Sequence, residues 1–211
     1  MSRDLPLGNG SLLVAFDGNY QIRDLYWPHV GQENHAMGHP FRMGAWVDGE
    51  FRWLDDSHWE HALRYSHETL VTEVRLRHSD LNLSIAASDA VDFHENLLVR
   101  RFDVVNLSDR DRDVRLFFHH DFHIAGNEVG DTAYYEPDRR AVLHYKGSRW
   151  FLANGAVVQA AIAAGMNCIA VATPFTRTAL HAQNLLAPKW IMDDPGTLPA
   201  VVEDLLRGRS A

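Results

Sequence analysis

A chain of 211 residues, 46% hydrophobic and 23% charged, has the composition of a folded globular protein rather than a disordered one. A formal net charge of -8 argues against nucleic acid or an anionic membrane as partner, because phosphate recognition needs clustered lysine and arginine. No run of about 18 apolar residues is available to span a bilayer, Met1-Ser2-Arg3-Asp4-Leu5-Pro6 has no apolar signal core, and Cys168 is the single cysteine, so a reducing, cytoplasmic location is expected.

Taken in chain order, the first elements are strands and turns. Gly8-Asn9-Gly10 precedes a strand rather than a helix N-terminus, which makes it a turn and not a phosphate cradle. Phe41 to Val47 and Phe51 to Leu54 flank Asp48-Gly49, a pair that tolerates the positive φ of a type I′ hairpin turn. Leu70, Thr72, Val74 and Leu76 alternate with Val71, Glu73, Arg75 and Arg77, the period-2 pattern of a strand with one buried face. Ser79-Asp80 then turns the chain into Leu81, Leu83, Ile85 and Ala87, which alternate again. Leu97 to Val105 and Val114 to Ile124 predict two more strands, joined by the polar stretch Asn106 to Arg110. Tyr134-Tyr135, Pro137-Asp138 and Ala141 to Tyr145 predict a hairpin, and Lys146-Gly147-Ser148 leads into Arg149 to Leu152. Many short strands with closely spaced turns and no long helical period predict an all-β sandwich or barrel.

The chain changes character near residue 154. Every histidine but His181 and every tryptophan but Trp190 precedes Asn154-Gly155, and the remainder of the chain is alanine-rich. So abrupt a step marks two folding units, 1–153 and 154–211. In the second, Val157 to Met166 predicts a helix, Cys168 to Ala172 a strand, Thr176 to Asn184 a helix, Trp190 to Met192 a strand and Leu198 to Arg207 a final helix. That order is the grammar of a parallel α/β sheet, and two strands make a marginal domain. The fold class expected from these elements is therefore mainly β, a sandwich or barrel, followed by a small, truncated α/β tail.

Several stretches of residues 4 to 152 carry a family resemblance. They are Leu5 to Gly10, Ile22 to His35 (IRDLYWPHVGQENH), Asp92 to Asn96 (DFHEN), Phe117 to His123 (FFHHDFH) and Gly130 to Tyr135 (GDTAYY). In this order they resemble the N-terminal domain of glycoside hydrolase family 15, the glucoamylases and glucodextranases. The resemblance implies a large antiparallel two-sheet super-sandwich of the galactose-mutarotase-like type packed on a following (α/α)6 barrel. That barrel supplies the two catalytic glutamates of inverting α-glucoside hydrolysis and is not found in these 211 residues. It also implies an α-glucan, or a separately encoded catalytic barrel, as partner, with self-association where the barrel would have covered the sandwich. Val158 to Met166 (VQAAIAAGM), followed by Cys168-Ile169-Ala170-Val171, resembles instead the C-terminal end of a haloacid-dehalogenase-like phosphatase of the phosphoglucomutase type. That family's nucleophilic aspartate and its partners would lie upstream, and Leu152-Ala153 stands where its acidic pair is expected, so no phosphatase chemistry is assigned.

The residues that remain as site candidates are few. His119, Asp121 and His123 alternate along the predicted strand and would share one face, resembling a 2-His-1-carboxylate set. Adjacent positions on one strand seldom splay into facial geometry, so a polar sandwich edge is the better reading, with no metal and no cofactor expected. Asp92, His94 and Glu95, with Glu33, offer carboxylates for glycoside chemistry, but turn capping accounts for them more simply. Trp27, Trp46 and Trp53 offer platforms for sugar rings, yet their places within strands favour the core. Arg177 follows the loop Thr173-Pro174-Phe175-Thr176 without an assigned role, and Asp193-Asp194 reads as a turn before Leu198. No catalytic residue is assigned; His119, Asp121, His123 and Glu95 are the candidates for substrate contact.

Overall fold

The computed structural model describes residues 5–155 together with the backbone of Ala170–Val171 and Ile191–Met192. The chain divides into two units, Met1–Ala153 and Asn154–Ala211. The first is built almost wholly of antiparallel sheet. One three-stranded sheet joins β1 (Leu5–Gly8), β2 (Leu13–Phe16) and β3 (Ile22–Tyr26). A second has β4 (Arg42–Val47) between β5 (Glu50–Trp53) and β10 (Val114–His119). A four-stranded meander runs β6 (Trp59–Tyr65), β7 (Thr72–His78), β8 (Leu83–Val91) and β9 (Leu98–Asn106). A last sheet holds β11 (Thr132–Glu136), β12 (Ala141–Lys146) and β13 (Arg149–Ala153).

Local chemistry explains most of these elements. Asp48 and Gly49 both have positive φ, 49° and 102°, the backbone a type I′ turn requires, and β4 pairs β5 across them from Val47↔Glu50 to Gly44↔Trp53. Thr72, Val74, Leu76 and His78 on β7 and Leu83, Ile85, Ala87 and Asp89 on β8 are all buried, so the period-2 reading of both strands holds residue by residue. Leu70, by contrast, lies before β7 and is 66% exposed. Met43, Ala45 and Val47 of β4 meet this face, with Leu5, Leu7, Val14, Phe16 and Ile22 from the first sheet, in one buried cluster. Sheets whose apolar faces meet in a shared core form a sandwich.

The segments around β9 and β10 are strands, as expected, and they belong to different sheets: β9 lies beside β8 and β10 beside β4, so Asn106 to Arg110 carries the chain between sheets. β10 also ends at His119, five residues short of Ile124, because the chain leaves the ladder to pack its next residues against the loop that follows β3. The strands β1, β3 and β6 were not legible, since β3 carries Arg23-Asp24 and β6 alternates buried Trp59 with Glu60, Ala62 and Arg64 on a largely polar strand.

Among the described residues, Asp89 is a carboxylate buried in the core. Asp89 has no exposure, and its carboxylate accepts hydrogen bonds from the Tyr20 hydroxyl (2.7 and 2.9 Å), the Thr72 hydroxyl (2.7 Å) and Arg100 Nε (2.8 Å). The Arg100 guanidinium lies 5.0 to 5.2 Å from the rings of Phe102, Tyr20 and Phe16. Burial, with Asp89's charge against the opposing pull of Arg100, pushes the Tyr20 hydroxyl well above its ordinary value.

In the second unit β14 (Ala170–Val171) pairs in parallel with β15 (Ile191–Met192), register Ala170↔Ile191 and Val171↔Met192. The expected helices at Val157 to Met166, Thr176 to Asn184 and Leu198 to Arg207, and Arg177 and Asp193-Asp194, lie outside the described residues.

Candidate functional site

A gathering of chemically active side chains forms where the loop after β3 meets the segment after β10. Three consecutive residues pin the first loop. Glu33 receives both Nε (2.8 Å) and an Nη (2.9 Å) of Arg149, and this pairing holds its carboxyl below the usual range. Asn34 Oδ1 accepts from the backbone N–H of Leu25 and Ala36, while its Nδ2 donates to Asp24. His35 is fully buried, with Nε2 2.5 Å from the Trp27 carbonyl and Nδ1 3.2 Å from the Ala125 amide. A carbonyl only accepts and an amide N–H only donates, so His35 is the neutral imidazole with its proton on Nε2. Burial lowers its pKa, as this assignment requires. The His123 amide donates to the His35 carbonyl at 2.8 Å, and so one residue fastens two loops that are remote in sequence.

Around His35 a chain of rings fills the corner. Phe151 lies 4.8 Å from both His35 and Phe122, and Phe122 lies 4.6 Å from both Phe41 and His144. His120 sits 5.4 Å from Phe41 and 5.4 Å from His144. This enclosure strips water from the imidazole and, with His144 nearby, brings the His120 pKa down to about 4; burial also lowers that of His144. An open pocket of about 190 Å3 is lined by His120, Asp121, Phe122, Asp131, Thr132 and His144, among others. It is smaller than the 300 Å3 or so at which sites for drug-sized ligands begin.

At the solvent edge of this corner, His39 Nδ1 lies 3.6 Å from Asp121 Oδ2, and His123 Nε2 lies 3.5 Å from Asp121 Oδ1. The two imidazole rings stack at 3.7 Å with 15° between planes. Among the described residues, His39, Asp121 and His123 form the one group of three that could offer a metal one donor atom each, all within 4.8 Å.

Of the sequence candidates, Asp121 and His123 come together here, but not as neighbours on a strand face, since both follow the end of β10. His119 is separated from them. It is the last residue of β10, opposite Arg42, with its ring edge-on to Trp53 at 6.1 Å. Glu95 is exposed in a turn whose geometry is set by Asp92, which accepts from the His94 and Glu95 amides at 2.8 Å and is thereby held ionised below the usual range. Asn9 of the first turn donates from Nδ2 to the Asp92 and Glu95 carbonyls, so Gly8-Asn9-Gly10 and this turn brace each other. Trp46 and Trp53 are half-buried rather than core. They lie with Phe51 on the outward face of β4–β5, where Gly44 has no side chain to keep Phe51 from lying across the strand. Trp27 does pack on the core. Sequence reading missed His39, which is 82 positions from Asp121 and carries no local signal, and His120, His144 and Asp131, which only the β10–β12 packing collects.

Comparison with known proteins agrees with a carbohydrate connection at a coarse level. The chain is 28% identical over 145 residues to an uncharacterized glycosyl hydrolase of Methanocaldococcus jannaschii. The match covers 69% of this chain and 23% of that protein, so the chain spans about a quarter of the relative it resembles. No family model matches the sequence, and no solved structure matches it. These relations place the chain beside the glycosyl hydrolases; no helix of the described residues is long and apolar enough to cross a membrane.

Proposed function

We propose that the first unit is the non-catalytic N-terminal sandwich of a glucoamylase-type α-glucan hydrolase, and that this 211-residue chain has no turnover of its own. The observation that carries the reading is the glycosyl hydrolase match over 145 residues, together with the sandwich of the first unit. Glycoside hydrolysis needs a carboxylic acid and a carboxylate on opposite sides of one bond. Two of the carboxylates that the sequence offered do not suit the role of the acid. Glu33 and Asp92 are both held ionised, the one by Arg149 and the other by backbone amides, and a general acid must hold a proton at working pH. The chain is therefore expected to release no glucose from maltooligosaccharides above a buffer blank. Release that disappears in Glu95→Gln would overturn the proposal.

A second reading, a glucan-binding or scaffold surface, has one specific observation in its favour. On the outward face of β11–β12–β13, Tyr145 stacks on Trp150 at 4.4 Å with 9° between planes, and Tyr134 lies edge-on to Tyr145 at 6.1 Å. Trp150 is 50% exposed and Tyr134 41%. Flat apolar rings presented together suit either a sugar face or the surface of a catalytic barrel or second copy. The phosphatase-like ending of residues 154–211 adds no activity to either reading, because its nucleophile has no counterpart here.

A further inference from the structure

We propose that His39, Asp121 and His123 form a zinc site, with Glu128 orienting His123. The distances within the group are wrong for direct bonding. Asp121 Oδ2 to His39 Nδ1 is 3.6 Å and Asp121 Oδ1 to His123 Nε2 is 3.5 Å, both too long for hydrogen bonds. A tetrahedral zinc with bonds of about 2.0–2.1 Å spaces its donors about 3.3–3.4 Å apart. An octahedral ion with bonds of about 2.0–2.1 Å spaces them about 2.9–3.0 Å apart. The two Asp121 gaps are made to different oxygens and run slightly past the tetrahedral edge, and the three donors lie within 4.8 Å of one another, so a cation would draw them together by small side-chain shifts.

The donor set points to the same class of metal. Two imidazoles and one carboxylate suit zinc and its neighbours, whereas calcium and magnesium favour an all-oxygen shell. Glu128 is placed to back a ligating imidazole: its Oε2 lies 3.5 Å from His123 Nδ1, the ring nitrogen turned away from Asp121, a gap that must close slightly for the supporting hydrogen bond to form. With His123 Nε2 on the metal, Nδ1–H points at that carboxylate. Three protein ligands leave the fourth position to solvent, and His39 and Asp121 are 50% and 45% exposed, which gives an ion a way in. Asp121 and Glu128 offset the incoming charge on a chain already at -8.

The ligands come from two loops, one after β3 and one after β10, that His35 already fastens through its backbone and its ring. Zinc would tie the same two loops again at the solvent edge. Loading also requires the stacked imidazoles to splay from their 15° angle, since near-parallel ring planes cannot both contain the metal.

The test is zinc titration of the chelator-treated full chain against a chromophoric competitor, with cobalt(II) as a spectroscopic stand-in. The expected result is one zinc per chain at micromolar or tighter affinity, and the intense visible bands of four-coordinate cobalt. His39→Ala and Asp121→Ala, both at half-exposed positions that leave the core untouched, should each weaken binding at least about 100-fold, and Glu128→Gln about 10-fold, the range over which ligands and their supporting carboxylates act. Zinc binding of unchanged affinity in both His39→Ala and Asp121→Ala would overturn the proposal. So would a wild-type chain that fails to compete at micromolar zinc, or a cobalt adduct with only the faint bands of six-coordination.

Discussion

Two carboxylates of the sandwich, Asp89 and Asp121, meet side chains from distant segments, and their sites are built in opposite ways. Asp89 is sealed, with hydrogen bonds from Tyr20, Thr72 and Arg100 and three aromatic rings around the guanidinium. Asp121 stands at the surface, close to His39 and His123 but bonded to neither. In the first, every partner is in place, and the low dielectric that makes a lone buried charge so costly makes the completed network rigid. In the second, water screens the charges, so the arrangement adds little to stability and stays open to a ligand. A satisfied buried network specifies the fold; an unsatisfied exposed one is available for chemistry.

The largest expected effect lies in the sealed network. Arg100→Ala leaves Asp89 charged, buried and short of its cation, and should destabilise by about 3–5 kcal/mol, read from the urea midpoint at pH 7. A loss below about 1 kcal/mol would mean that water reaches Asp89, and the contrast with Asp121 would collapse.

A smaller effect separates the buried from the exposed imidazoles. His120 is held neutral in the fold, with its pKa down to about 4 against an ordinary value of 6.5. A group whose folded pKa is lowered gives its full contribution above the unfolded value and loses it as pH falls toward the folded one. Stability should therefore decline from about pH 6.5 to about pH 4, His120 accounting for about 3 kcal/mol at about 1.36 kcal/mol per unit. His35 and His144, whose pKa values burial also lowers, act in the same direction. Urea midpoints across this range, with His120→Gln as control, check it: the variant should show a shallower slope, and an equal slope would remove His120 from the account.

The smallest effect is expected at the open site. In metal-free protein His39→Ala should change stability by no more than about 0.5 kcal/mol, as for other surface positions. A loss of about 2 kcal/mol or more in thermal or urea unfolding would show that the His39–His123 stack is itself a structural tie, and the distinction between the two carboxylates would blur.

Sequence reading reaches only part of this contrast. The Asp48-Gly49 hairpin, the alternation of β7 and β8, and the hairpins of β11, β12 and β13 were legible because each depends on neighbours in the chain: a turn that needs positive φ, or side chains that alternate in and out of one face. The polar strands β3 and β6 were not, because their burial is supplied by partners elsewhere. Asp121 and His123 were singled out from spacing, but on the premise of a strand that the structure ends at His119. What only the tertiary structure decided is which remote residues meet. His39 reaches Asp121 across 82 positions, Arg149 reaches Glu33 across 116, and Tyr20 and Arg100 close on Asp89 from two different segments of the chain. Period and propensity act over a few residues and decide that a strand exists and which face is apolar; the meeting of loops depends on how whole sheets pack, and no local pattern records it.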